Sequence, residues 1–281
     1  MPLAKPLLEL TNDVVFKAYF RSEKNRYSLI SFLRAVLNIK EEDFIDLKIL
    51  DPLSIAEQED DKSTVIDLRL ELKDQVIIIE LQMQPMELME NRIVFGISKN
   101  LSTQLIKGDS YKLTKIVSIL IAGFPLIKDK NHKEYHDIFN INSKKTGYTF
   151  SDVIEIHTLE LKKLPKNEDG TLLYNWLKVI RAKSEEELDM IAENVPELKQ
   201  SVSYIKELSA DESARIRAFN RETFLRDQAV RERMAREQGI KEEKISLAKN
   251  LIEMNVLSLE QISKGTGLSI NEIEKIKNKI G

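Results

Sequence analysis

Asp67 and Glu80 are the residues whose type and spacing point most directly to chemistry. Asp67 sits in an alternating run, Val65-Ile66-Asp67-Leu68-Arg69-Leu70-Glu71-Leu72, and Glu80 lies late in a second apolar run, Gln75 to Gln82. Polar Lys73-Asp74 separates the two runs, which is the pattern of a β-hairpin closed by a two-residue loop. With that loop Leu68 faces Ile79 and Leu70 faces Ile77, and these share one apolar side with Leu72 and Leu81. Asp67 then stands directly opposite Glu80 on the other side, with Gln82 beside Glu80. A slip of one residue abolishes the arrangement. Like charges opposed across strands repel, the more so as water is excluded. A divalent cation between them reverses the sign, and Mg²⁺ favours carboxylate oxygens while keeping several waters. Such an ion neutralises charge building up on a phosphoryl group and acidifies a bound water. The residue types alone leave a second reading open, in which both carboxylates are solvated on the wet face of a sheet.

Asp67 followed by Glu80-x-Gln82 resembles the metal motif of the PD-(D/E)xK nuclease superfamily, with Gln82 where a lysine usually stands. More narrowly, about the first 165 residues resemble the Rpn family of recombination-promoting nucleases and transposases. The matching pieces are Asn12-Asp13-x-x-Phe16-Lys17-x-x-Phe20, Asp67, Ile79-Glu80-Leu81-Gln82 and Arg92. Gln104-Leu105-Ile106-Lys107-Gly108-Asp109-Ser110-Tyr111 and Leu159-Glu160-Leu161-Lys162-Lys163-Leu164 follow in the same order. The resemblance implies an α/β fold, a restriction-endonuclease-like core with a mixed sheet flanked by helices. It also implies a Mg²⁺-dependent DNA endonuclease that hydrolyses phosphodiester bonds, with Mn²⁺ as a substitute ion. Asp67 and Glu80 would bind the metal, Asp13 would complete its shell, and Gln82 would orient the attacking water. Glutamine cannot accept a proton as a general base at neutral pH, so the proton falls to a second water or to the phosphate itself. Arg92, Gln104, Tyr111 and Lys112 are the expected DNA contacts. A homodimer is expected because a double-strand cut needs two active sites. Two other classes compete: an inactive DNA-binding or assembly module retaining the nuclease fold, and a protein-interaction module built on the helical region after residue 172.

These residues need elements to position them. Thr11 to Phe20 reads as a helix capped at Thr11 or Asn12, with Val15, Phe16, Tyr19 and Phe20 on one side. Asp13 lies in its first turn, where a negative charge also complements the helix dipole. A second helix, Asn25 to Leu37, has a broad apolar face. Phe44 to Leu50 reads as a strand ending at Asp51-Pro52, and the acidic run from Glu57 to Asp61 as an exposed loop. After the hairpin, Met86 to Lys107 reads as a long helix that packs Ile93, Ile97, Leu101 and Leu105 on the sheet, with Gly108 as its C-cap. Lys115 to Gly123 is a continuous β-branched run, the signature of a central strand buried on both faces. Residues 128 to 150 read as polar and irregular. His132, His136 and Asp137 have a spacing that would suit zinc on a helix, but the surrounding sequence is not helical. A strand from Asp152 to Thr158 places His157 as a satisfied structural histidine.

From Leu172 to about Gln238 the sequence reads as helix, broken near Pro196. The segment Asp211 to Gln238 has seven Arg against six Asp and Glu, a surface or oligomerisation helix rather than a basic DNA arm. Gly239 reads as a hinge before a helix–turn–helix-like tail, with N-caps at Ser258 and Ser269. The expected organisation is therefore a nuclease-like core over 1–165, a helical extension over 166–240 and a small tail over 241–281. The 281 residues are 42% hydrophobic and 32% charged, as in a globular rather than a disordered chain. A net charge of −3 gives no overall basic footprint, so DNA contact needs local clusters of Lys and Arg. The absence of cysteine excludes disulfides and thiolate metal sites. No apolar run has membrane-spanning length and the start carries no signal-peptide apolar region, so a cytoplasmic location is expected, with no membrane partner and no organic cofactor.

Overall fold

The computed structural model describes residues 6–50, 67–104 and 112–280. Asn12 starts the first helix, α1 (Asp13–Phe20): its side chain accepts from the backbone N–H groups of Val14 and Val15, two donors that the helix itself leaves without partners. A single turn follows, then α2 (Arg26–Leu37), which Asn38 ends in the left-handed region at φ 52°. The expected strand from Phe44 shrinks to β1 (Lys48–Leu50), because Glu41–Phe44 forms a 3₁₀ turn that buries Phe44. Asp51-Pro52 and the acidic run lie outside the described residues.

β2 (Leu68–Leu72) and β3 (Gln75–Gln82) form the expected hairpin in the expected register, Leu68 opposite Ile79 and Leu70 opposite Ile77. Lys73 takes φ 47° in its two-residue turn, the left-handed conformation that such tight turns demand. Helix α3 (Met89–Ser102) is shorter than the spacing predicts at both ends. Leu88 at φ 55° delays its start and Thr103 closes it, while Gly108 lies outside the described residues. β4 (Lys115–Ala122) is the central strand, parallel to β3 and to β6 (Thr149–Glu160). β5 (His136–Asn142) falls in the stretch expected to be irregular and pairs antiparallel with β6. The sheet order is β1-β2-β3-β4-β6-β5. It is a mixed sheet with helices on both faces, as an α/β core requires.

Alternation along β3 assigns the faces. Ile77, Ile79 and Leu81 join Leu68, Leu70 and Leu72 in a core that also takes Phe16, Phe20, Leu29 and Phe32 from α1 and α2. Val76 and Ile78 pack on the other side against Met89, Ile93 and Ile97 of α3. The segment expected as a separate extension contributes to the first of these cores: α4 (Leu172–Arg181), α5 (Glu185–Asn194) and α6 (Lys199–Ala210) supply Trp176, Leu188 and Ile205. Packing breaks instead between Phe219 and Asn220, which separates a unit of residues 1–219 from one of 220–281.

The last elements are α7 (Glu212–Met254), α8 (Leu259–Thr266) and α9 (Ile270–Ile280). Gly239 is not a hinge, since α7 runs through it without interruption. The missing side chain costs such a helix only about 1 kcal/mol, which its neighbours offset. Within the second unit Ala248, Ile262, Leu268 and Ile273 form a small core. Ser258 caps α8 through a reciprocal pair with Gln261, and Ser269 makes the equivalent pair with Glu272. Among the described residues no helix is long and apolar enough to cross a membrane.

Candidate active site

Asp67 immediately precedes β2, one residue beyond the last paired position, Leu68 opposite Ile79, and its charge acts on Glu80 of β3. Both are buried, Asp67 at 7% and Glu80 at 9% exposure, so the reading in which they are solvated side chains is set aside. Carboxylates at that depth need partners. For Asp67 the partners are visible: Oδ2 accepts the Leu81 backbone N–H at 2.7 Å, and Oδ1 pairs with Lys17 Nζ at 2.8 Å. Glu80 is held differently. Burial, reinforced by the charge of Asp67, raises its pKa from 4.5 to about 7, against an opposing pull from Arg92. The raised value marks a carboxylate whose negative charge is poorly solvated.

Arg92 lies in the first turn of α3 and is half-buried. Nη1 donates to Met86 Sδ at 3.3 Å, while Nε is buried without a hydrogen-bond partner among the described residues. The consecutive strand β3 and helix α3 thus bring Arg92 into the electrostatic range of Glu80. Gln82 ends β3, pairs with Ala122 of β4, and donates from its side-chain amide to the Gln84 carbonyl at 3.1 Å. Asp13 and Lys17 are one turn apart on α1, and therefore on the same side of the helix. Among the described residues, no three His, Asp or Glu side chains gather as a metal cage. Two carboxylates nevertheless fit Mg²⁺, which keeps most of its waters and is bound by one or two carboxylates together with substrate phosphates.

The other expected contacts do not join this cluster. Gln104 lies past the C-terminal end of α3, whereas Arg92 is in its first turn. Both ends of its side-chain amide are used on the Thr114 backbone, donating to the carbonyl at 3.2 Å and accepting from the N–H at 2.7 Å. It therefore fastens the chain ahead of β4. Lys112 is exposed before the start of β4, and β4 begins opposite Gln75, at the far end of β3 from Glu80. Tyr111 lies outside the described residues.

The residues matched, 10–235, are those of the PD-(D/E)XK nuclease family transposases. This chain belongs to that family. The match takes in Asp67, Glu80, Gln82 and the whole sheet, in agreement with the resemblance of the N-terminal region to recombination-promoting nucleases. No curated protein and no solved structure matches the chain.

The histidines form a separate, structural group. His136 Nε2 and His157 Nδ1 are 3.0 Å apart with their rings stacked, and His157 Nε2 lies 2.9 Å from Glu155. Burial, aided by the neighbouring His157, lowers the pKa of His136 to about 4. His132 contacts Asp137 at 3.2 Å from the loop before β5, so His132 and His136 are divided between loop and strand and do not share a helix, as the sequence indicates. Sequence reasoning missed Lys17 as a site residue. It was visible only as part of a motif whose apolar positions attract attention first; the signal was its place one turn after Asp13, on a helix that seats against the hairpin.

Proposed function

We infer that the protein is a Mg²⁺-dependent DNA endonuclease of the recombination-promoting, transposase-associated type. The observation that carries this reading is the buried Asp67–Glu80 pair in a chain of the PD-(D/E)XK nuclease family transposases. When bound, the divalent ion supplies charge to the phosphodiester as negative charge builds on it, and acidifies a coordinated water. Asp67 and Glu80 would hold that ion, Asp67 in an orientation fixed by the Leu81 N–H, with Asp13 as the further acidic residue of the shell. Mn²⁺ substitutes for Mg²⁺. Gln82 orients the attacking water through its side-chain amide and takes no proton. Arg92 presents a guanidinium donor to a phosphate oxygen from the start of α3, suiting the planar fork that phosphate recognition uses. Lys112 and Gln104 contact DNA away from the scissile bond, and Tyr111 is a further DNA contact. The substrate is DNA, the acting form a homodimer able to cut both strands, and the setting the cytoplasm.

The test is conversion of supercoiled plasmid to nicked and linear forms in Mg²⁺, in Ca²⁺ and in EDTA, with Asp67→Ala prepared identically. The expected result is cleavage in Mg²⁺ alone, lowered at least ~10³-fold in the variant, as loss of a metal ligand removes both the ion and its charge. Cleavage that persists in EDTA or in Asp67→Ala would place the activity elsewhere. Binding of DNA in Ca²⁺ with no cleavage under any condition would favour an inactive DNA-binding protein.

A further inference from the structure

Two buried carboxylates would repel in the metal-free protein unless something positive sat beside them. On the hairpin Gln82 is neutral, and Arg69, two residues along β2 from Asp67 and opposite Ile78, has Glu71 as its charged neighbour. The cation comes instead from α1. Lys17 Nζ lies 2.8 Å from Asp67 Oδ1, with 27% of its side chain exposed and only 10% of that of Asp67. Its stem leaves a helix locked into the core by Phe16 and Phe20, both fully buried, and capped by Asn12. The Asn12 amide also donates to the Ala218 carbonyl at 3.3 Å, tying the cap to the start of α7. The contact is thus held by the fold rather than by a mobile surface lysine finding an acid.

We propose that Lys17 is the resident counter-ion of the metal site, occupying the Asp67 oxygen that an incoming divalent cation must share, and remaining there as a positioning residue for the phosphate. The proposal rests on the endonuclease reading only for its last clause. Lys17 and Arg92 offset the charges of Asp67 and Glu80, and Asp13, one turn before Lys17 on α1, adds a further carboxylate. The metal-free site therefore has no net attraction for a phosphodiester until a divalent ion adds two positive charges. Close DNA engagement therefore follows metal binding. Lys17 disfavours the ion by like-charge repulsion but adds to the field that receives a phosphate once the ion is in place. A lysine suits this task because its compact ammonium rotates on a flexible stem and can turn from Asp67 to a phosphate oxygen.

The experiment is calorimetric titration of the full chain with Mn²⁺, for wild type, Lys17→Met and Lys17→Arg, followed by single-turnover plasmid cleavage of the same preparations. Lys17→Met, which keeps the length of the side chain and removes its charge, should bind Mn²⁺ several-fold more tightly and cleave ~10²-fold more slowly. Lys17→Arg should bind Mn²⁺ as wild type does. Weaker or unchanged Mn²⁺ binding in Lys17→Met, with thermal unfolding like that of wild type, overturns the proposal and leaves Lys17 a prop for Asp67. A Lys17→Met protein that fails to fold passes the decision to Lys17→Gln under the same criterion. If wild type binds Mn²⁺ but does not cleave, the endonuclease reading fails alone and the binding order of the variants still decides the counter-ion role. If wild type binds no Mn²⁺, both fall.

Discussion

Glu80→Gln should gain stability and lose activity together. In metal-free wild type the Glu80 pKa is raised from 4.5 to about 7, so the folded protein holds this proton more tightly than the unfolded chain does. The stability that this group contributes is complete below about pH 4.5 and is lost as the pH rises through 7. The shift corresponds to about 3 kcal/mol between pH 4 and pH 8. Burial is its main cause, with the Asp67 charge adding to it. Glutamine has nearly the same shape and no charge, so the variant escapes the penalty. Denaturant unfolding in EDTA should find it more stable than wild type by up to about 3 kcal/mol at pH 8 and nearly equal to it at pH 4.5. Mg²⁺ should stabilise wild type more at pH 8 than at pH 5.5 and should leave the variant almost unchanged. Plasmid cleavage by the variant should fall at least ~10³-fold. A variant less stable than wild type at pH 8 in EDTA would show that Glu80 is already compensated inside the fold and has no need of a cation.

Trp176→Ala should cost about 3–5 kcal/mol of unfolding free energy, the range for removing a buried aromatic and leaving a cavity. Trp176 is fully buried. Its ring lies 6.0 Å from that of Phe20 and meets Phe32 edge-on at 5.9 Å, while Nε1 donates to Ser31 Oγ at 3.1 Å. The indole therefore fastens α4 to α1 and α2, and truncation also deprives Ser31 of a buried partner. Trp176→Phe keeps most of the apolar volume and should cost less than half as much. The check is urea unfolding of both variants at fixed pH and without metal. A loss below 1 kcal/mol for the alanine variant would mean that the helices after residue 172 are an appendage rather than part of the core. Because α1 carries Lys17, loosening this seat should also weaken cleavage in the alanine variant before the protein unfolds.

The two results share a cause that the sequence shows only in part. The hairpin was legible because its register depends on local facts: a two-residue turn at Lys73-Asp74 and strict alternation on either side. The central strand Lys115–Ala122 was legible for the same reason, being apolar on both faces. β5 was not, because most of its residues are exposed and it pairs with β6 alone, which leaves no hydrophobic alternation to read. The 3₁₀ turn at Glu41–Phe44 took Phe44 into the core without extending a strand, so an apolar residue there misled about β1. Gly239 misled in the opposite sense, since a helix interior tolerates one glycine when the residues around it favour helix.

The site divides along the same line. The nearness of Asp67 to Glu80 follows from the hairpin, but their burial and the contact with Lys17 depend on how α1 docks, and no local pattern encodes that. Arg92 was accessible from its place one turn into the helix after the hairpin. Gln104 and Lys112 were read as DNA contacts from their neighbourhood in the chain. The topology instead carries both away from Glu80, because α3 and the parallel strand β4 lead to the opposite end of β3. Distance along the chain and distance across the sheet disagree most where a crossover connection intervenes.

The most direct test of the central claim, that Asp67 and Glu80 together hold a divalent cation, is anomalous X-ray diffraction from crystals of the wild-type protein soaked in Mn²⁺. The predicted result is one strong peak between the two carboxylates, about 2.1 Å from an oxygen of each, the coordination distance of the Mg²⁺ that Mn²⁺ replaces. A well-ordered crystal with both side chains visible and no peak between them, or with Mn²⁺ bound only elsewhere, would contradict it.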